Sequence, residues 1–197
     1  LNLMVAIAMD LIVELKRDAN TDKLSGLLNR RGFEQEAAAM LARCHERGLP
    51  ACLMIADLDH FKQINDTYGH AVGDRVISLF GQQIAARIDE TMVAGRIGGE
   101  EFAVIVAGLG LGDARRFAES LRSGLTEQTA GKLPRSLSPT TSIGFCLSSP
   151  GADLYDLMRR ADEALYNAKG LGRNQVQAFM PHAASAAAAP EPLPARA

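Results

Sequence analysis

An excess of charge of either sign is the first thing this 197-residue chain lacks. Its 21 Lys and Arg stand against 23 Asp and Glu, a net charge of −2. A broad surface for nucleic acid or for an anionic membrane needs a concentrated excess of Lys and Arg. No nucleic-acid partner and no direct membrane contact by the folded domain are therefore expected. Cysteine is scarce as well. Cys44, Cys52 and Cys146 are odd in number, far apart and form no CxxC pair, which argues against a disulfide framework and a structural zinc. Cys52 and Cys146 lie in apolar, strand-like runs and read as core residues. Such cysteine usage fits a reducing, cytoplasmic compartment. Long hydrophobic runs are missing too. The apolar stretch 3–13, broken by Asp10, is too short to span a membrane by itself, and the first residues lack the basic start of a secretory signal. Because the chain opens on Leu1 rather than Met, we read it as a fragment. The expected missing part is an upstream sensor region, which in the full protein could tether the domain to the inner membrane.

What is present suffices for one domain with extensions. At 47% hydrophobic and 22% charged residues, the chain can bury an ordinary core. Met4, Ile7, Leu11 and Leu15 follow a helical period and predict a helix over residues 3–20. That helix either packs on its own domain or forms a coiled-coil linker to a second copy. Gly26 and Asn29 mark residues 22–30 as a loop. A helix over 31–47 ends at Gly48-Leu49-Pro50, and the apolar run 51–56 reads as a strand. A loop-and-helix segment follows, with its second helix over 72–87. Runs 91–97 and 102–107 flank Gly98-Gly99-Glu100-Glu101 and predict a β-hairpin with a four-residue loop. Helices over 113–128 and 153–169 and strands over 140–147 and 175–179 complete the domain, which spans residues 21–180. Alternating elements with one adjacent hairpin predict an α+β class of α/β protein: a mixed sheet with helices packed on it. The Ala- and Pro-rich residues 181–197 read as a disordered tail.

Chemistry concentrates at one end of that sheet. Asp57 directly follows an apolar strand, and carboxylates at strand C-termini face ligand crevices. Glu100 and Glu101 in the hairpin turn would meet it if the hairpin is central. Like charges at such range repel unless a cation joins them, and Mg²⁺ suits one or two carboxylates plus substrate phosphates. Gly98 and Gly99 would supply positive φ and room for a phosphate or sugar. Taken alone, a GGEE turn is equally a plain hairpin with solvated acids.

Its context is specific. Asp57-Leu58-Asp59-His60-Phe61-Lys62-Gln63-Ile64-Asn65-Asp66 and Gly69-His70-Ala71-Val72-Gly73-Asp74 precede Arg96-Ile97-Gly98-Gly99-Glu100-Glu101-Phe102. Together they closely resemble the GGDEF family of diguanylate cyclases, in a GGEEF form. The opening stretch Asp22-Lys23-Leu24-Ser25-Gly26-Leu27-Leu28-Asn29-Arg30-Arg31-Gly32-Phe33 resembles the family's first motif. The closing helix Ala161-Asp162-Glu163-Ala164-Leu165-Tyr166-Asn167-Ala168-Lys169, with Gly172-Arg173-Asn174, resembles its last. The likeness covers about residues 20–179.

The resemblance implies a ferredoxin-like palm domain of the nucleotidyl cyclase type, which condenses two GTP into cyclic di-GMP at a homodimer. It implies Mg²⁺, with Mn²⁺ as an alternative, held by Asp57, the carbonyl of Leu58 and Glu100, with Glu101 at a second ion. Two ions can lower the pKa of an attacking 3′-hydroxyl and stabilise the leaving oxygens. Glu100 is the expected general base, against an alkoxide formed without direct base help. Lys62 would stabilise the transition state. Backbone N–H groups at His60 and Phe61 would bind the phosphates, and Lys169 and Arg173 their terminal end. Asn65 and Asp74 would read guanine, because adenine offers an Asp neither of the two donors that guanine does. His70 matches a substrate-side position or packs the loop. Asp59 is expected to accept hydrogen bonds beneath the site, and Arg96 to pair with an acid near the hairpin. One departure stands out: the positions of the inhibitory RxxD site hold Asp89 and Met92, with Arg87 and Glu90 out of register, so product inhibition by that route is not expected. The rival readings are a catalytically silent module that binds GTP or cyclic di-GMP as a sensor, and an enzyme making an adenine-containing dinucleotide. The full acidic set weighs against the first, and Asp74 against the second.

Overall fold

The structure is a computed structural model that describes residues 19–180. Most of the expected N-terminal helix and the expected tail lie outside the described residues. In chain order the elements are β1 (Leu28–Asn29), α1 (Arg30–Glu46), β2 (Ala51–Leu58), α2 (Phe61–Tyr68), α3 (His70–Ala85), β3 (Met92–Arg96), β4 (Glu101–Ala107), α4 (Leu111–Thr129), β5 (Thr141–Leu147), α5 (Leu154–Gly170) and β6 (Val176–Ala178). The strands form one mixed sheet in the order β1-β3-β4-β2-β5-β6. β1 runs parallel to β3 and β6 parallel to β5, while the remaining pairs are antiparallel.

Strand β2 sits at the centre because all eight of its residues can be buried. Alternation sends its side chains to two separate cores. Cys52, Met54, Ala56 and Leu58 join Phe80, Ile84, Leu121 and Leu125 beneath α3 and α4. Ala51, Leu53 and Ile55 join Phe33, Met40, Leu157 and Leu165 beneath α1 and α5. Phe80 meets Phe102 edge to face, with centroids 4.9 Å apart at 80°. That geometry contributes about 1 kcal/mol beyond area burial. Cys44, Cys52 and Cys146 are free and buried, and burial pushes the Cys146 thiol up to about 12. Their role is packing.

The helices start where short polar side chains cap them. Asn29 accepts from the Gly32 amide at 3.0 Å to open α1, and Asp153 accepts from the Asp156 amide at 2.8 Å to open α5. Helix α5 lies directly on β5, because a Cβ at Gly144 would collide with the backbone of Ala161 and Leu165. Only glycine permits that approach, and it sets where the C-terminal end of α5 arrives.

Three sequence expectations need correcting. Leu28 and Asn29, read as loop, form a short edge strand registered on Gly95 and Arg96. The central strand runs on through Leu58, so Asp57 lies within it rather than after it. Its pairing with β5 as far as Thr141 supplies hydrogen bonds the local sequence does not advertise. Helix α3 begins at His70, two residues earlier than its apolar pattern suggests. Among the described residues no helix is long and apolar enough to cross a membrane.

Candidate functional site

The C-terminal end of β2 and the β3–β4 turn meet as expected. Asp57 registers on Glu101 across the ladder, and the Leu58 amide donates to the Glu100 carbonyl at 3.2 Å. Alternation points Asp57 to the sheet face that carries α5. There its Oδ2 lies 2.8 Å from Lys169 Nζ, with the Asp57 side chain 8% exposed and that of Lys169 32% exposed. Burial raises the Asp57 carboxyl above its ordinary range, and Lys169 opposes that rise only in part. Burial raises Glu100 as well, and the neighbouring charge of Asp57 adds to it. Two carboxyls whose ionisation burial disfavours, one of them raised further by the charge of the other, form a site suited to a hard cation.

Among the described residues no three His, Cys, Asp or Glu side chains converge into a ready metal cluster. Asp57 and Glu100, with the Leu58 carbonyl between them in sequence, are the donors this end of the sheet offers. Such a sparse protein set fits Mg²⁺, which usually takes its remaining ligands from water and substrate phosphates. The Glu101 carboxylate lies back against Gly98, in the space a Cβ there would fill. Neither Gly98 nor Gly99 has positive φ, contrary to the sequence expectation. Gly98 leaves the room in which the Glu101 carboxylate lies. A Cβ at Gly99 would meet nothing within 4 Å, so the turn is open to an approaching group.

The turn is braced from behind. The Arg96 guanidinium donates to the Gly99 carbonyl at 2.6 and 3.2 Å and to both oxygens of Asp22 at 3.2 and 3.3 Å. Arg30 donates to the Ile97 carbonyl at 2.7 Å. The acid that Arg96 was expected to find is thus Asp22, in the opening loop. Burial pushes Asp22 upward, but the Ser25 hydroxyl and amide and the Arg96 guanidinium outweigh it, and its carboxyl ends below the usual range.

Asp59 has the role expected of it beneath the site, and a larger one than the sequence suggested. It is 3% exposed. Oδ1 accepts from the Ser142 hydroxyl at 2.7 Å, and Oδ2 from the Thr140 hydroxyl at 2.8 Å and the Asn174 amide at 3.0 Å. It ties β2 to the start of β5 and to the turn of Arg173 and Asn174, both of which have positive φ. Nothing local to Asp59 signals partners so remote in sequence.

Helices α2 and α3 form the other wall. His60 turns the chain into α2 at φ 55, and no side chain caps the first turn of that helix. Lys62 there is exposed and makes no ion pair among the described residues. Asn65 Oδ1 is buried without a hydrogen-bond partner, and it occupies the space beside Gly73, where a Cβ would clash with it. Asp74, next to Gly73, is exposed, as is His70. An orphaned buried acceptor beside a free carboxylate is a place that wants hydrogen-bond donors. Arg173 is exposed at the far side, close enough to Asp57 to lower its pKa. The residues at the inhibitory-site positions are otherwise engaged. Asp89 accepts from the Thr91 amide and hydroxyl at 2.8 and 2.6 Å, and Met92 is in the core. Arg87 Nη1 donates to the Gln83 carbonyl at 2.7 Å.

Known proteins are similar to this chain. Residues 19–175 match the family described as "Diguanylate cyclase, GGDEF domain". The chain is 38% identical over 170 residues to the diguanylate cyclase VdcA of Vibrio cholerae, a match covering 84% of this chain and 48% of that protein. It is 38% identical over 161 residues to the response regulator PleD of Caulobacter vibrioides, covering 80% of this chain and 36% of that one. The chain thus spans about half or less of the length of these relatives. Among solved structures, the coiled coil and GGDEF domain of DgcB from Caulobacter crescentus, in complex with c-di-GMP, superposes with a TM-score of 0.82 at 33% identity, covering 90% of this chain and 94% of that one.

Proposed function

The chain belongs to the GGDEF-domain family of diguanylate cyclases, and from that premise we propose that it joins two GTP molecules into cyclic di-GMP, releasing two pyrophosphates. The observation that carries this reading is the junction of β2 with the β3–β4 turn, where Asp57 registers on Glu101, the Leu58 amide donates to the Glu100 carbonyl, and burial raises the carboxyls of both Asp57 and Glu100.

Each nucleotide would be read by Asn65 and Asp74. The unpartnered Asn65 Oδ1 and the free Asp74 carboxylate accept from guanine N1–H and its 2-amine. Adenine supplies neither donor, and a polar site left unpaired rejects the wrong base strongly. The uncapped start of α2 at His60 and Phe61, together with Lys62, Lys169 and Arg173, would hold the triphosphate. His70, exposed at the start of α3, would contact the nucleotide. Glu100 would take the proton from the attacking 3′-hydroxyl. Asp57, the Leu58 carbonyl and Glu100 would hold Mg²⁺ or Mn²⁺, with Glu101 at a second ion. The ions, when bound, supply electrophilic stabilisation of charge on the phosphates.

The product has two-fold symmetry and each domain holds one GTP, so the active unit would be two chains facing each other across the nucleotides. Residues 1–20 would set that geometry on behalf of an upstream sensor. GTP and the buried free thiols both fit a cytoplasmic domain, which an upstream segment could tether to the inner membrane.

A turnover assay with GTP and Mg²⁺, products resolved by chromatography, tests the reading. Cyclic di-GMP from the parent chain and a loss of at least about a hundredfold in Glu100→Ala are expected. GTP binding without product, even when dimerisation is forced, would refute turnover and leave the silent sensor module.

A further inference from the structure

Lys169 and Asp57 form the ion pair at the base of the site, with Nζ 2.8 Å from Oδ2. This contact is built rather than incidental. Gly144 lets α5 settle onto β5, and the chain after α5 is locked by the Leu171, Gly172 and Arg173 amides, which donate to Asn167, Lys169 and Ala168. The Asp57 side chain is 8% exposed, whereas that of Lys169 is 32% exposed, so the acid is fixed and the base keeps a path to solvent. Asp59 next along is fully engaged by Ser142, Thr140 and Asn174 and needs no cation. Asp57 is therefore the acid here with a charge to be balanced, and Lys169 is the group that balances it.

A divalent cation on Asp57 would sit about 2.1 Å from a carboxylate oxygen. An ammonium held at hydrogen-bond distance from that same oxygen would oppose it both sterically and by charge. We propose that Lys169 is a resident counter-ion that closes the cation site of the empty domain. It neutralises Asp57 until a nucleotide arrives, then swings onto the nucleotide's phosphates and opens Asp57 to the divalent ion that comes with them. Rested on the function proposed above, this makes uptake of the divalent ion conditional on the nucleotide. The empty domain takes up free divalent ions poorly, and holds Asp57 in place.

The inference separates three roles for Lys169. A counter-ion that must leave implies opposite changes on its removal: tighter binding of the free ion and weaker binding of the ion–nucleotide complex. A phosphate ligand alone implies only the second change. A structural strut implies weakening of both.

The experiment uses the full chain, with Lys169→Gln, Lys169→Met and Lys169→Arg variants checked for folding by circular dichroism. Mn²⁺ alone is titrated by the loss of its free electron-paramagnetic-resonance signal. Mn²⁺ with the α,β-methylene analogue of GTP is titrated by calorimetry. A partly exposed pair of this kind offsets binding by about fivefold. Mn²⁺ alone is expected to bind about fivefold more tightly to the Gln and Met variants, and the Mn²⁺–analogue complex about tenfold more weakly. Lys169→Arg is expected to keep the parent's order. Unchanged or weaker binding of Mn²⁺ alone to both neutral variants overturns the inference while leaving the proposed function standing. A parent chain that fails to bind the Mn²⁺–analogue complex overturns both.

Discussion

Removing the Asp59 carboxylate should separate the cost of lost hydrogen bonds from the cost of a lost charge. Asp59 accepts three bonds, from Ser142, Thr140 and the Asn174 amide. Asp59→Ala orphans those donors, of which Ser142 is fully buried. Each orphaned buried donor costs about 1–3 kcal/mol. Allowing for water at the partly exposed Thr140, the total is about 3 kcal/mol. For a domain of this size that corresponds to a fall of about 6–12 °C in Tm. Asp59→Asn differs in kind. Its remaining oxygen can still accept from Thr140 and Asn174, and its amide can donate to the Ser142 hydroxyl, which rotates to accept. Each bond loses charge assistance, about 1 kcal/mol apiece, but the burial penalty of a charge is recovered. The Asn variant should therefore lie within about 1 kcal/mol of the parent. Urea unfolding followed by circular dichroism at 25 °C and pH 7 measures both. The Ala variant should also bind GTP more weakly, because the Arg173–Asn174 turn comes loose from β2. An Ala loss under about 1 kcal/mol, or an Asn loss equal to it, would refute the hydrogen-bond account.

Two further outcomes follow from the brace behind the turn. Arg96→Met should lower kcat about 10–100-fold while GTP affinity changes less than about threefold, since the turn loses its orientation but the α2–α3 wall is untouched. Steady-state kinetics beside calorimetric GTP titration would show it, and equal losses in both would count against the positioning role. Asp22 gives a pH signature. Its folded-state pKa is depressed, so its stabilising contribution is present above the unfolded carboxylate pKa and is lost as pH falls through the lower folded value. Asp22→Asn should therefore be less stable than the parent at pH 7, with the gap closing as pH drops below about 4. A gap that is constant between pH 7 and pH 3 in urea unfolding would show that Arg96 gains nothing from the charge of Asp22.

Much of this protein is local, and local order is legible in a sequence. Apolar runs and glycine and proline breaks place nearly every helix and strand within a few residues, because the period of burial belongs to each element alone. The hairpin with its acidic turn, and the residue types of the proposed guanine and phosphate sites, are equally visible. Their chemistry is carried by contiguous motifs. Pairing across the chain is another matter. The order β1-β3-β4-β2-β5-β6, the edge pairing of Leu28 and Asn29 with Gly95 and Arg96, and the extension of β2 through Asp57 all depend on which strand lies alongside, which no local pattern states. The same holds for three side chains. Arg96 finds Asp22, Asp59 gathers Ser142, Thr140 and Asn174, and Lys169 settles on Asp57, each across a gap that only the packed sheet closes. The reason for Gly98 also changed, from backbone freedom to space for Glu101, because side-chain volume around a residue is a property of the tertiary structure. The sequence by itself determined which groups are candidates for the proposed chemistry. Packing decided which of them touch, Lys169 with Asp57 among them.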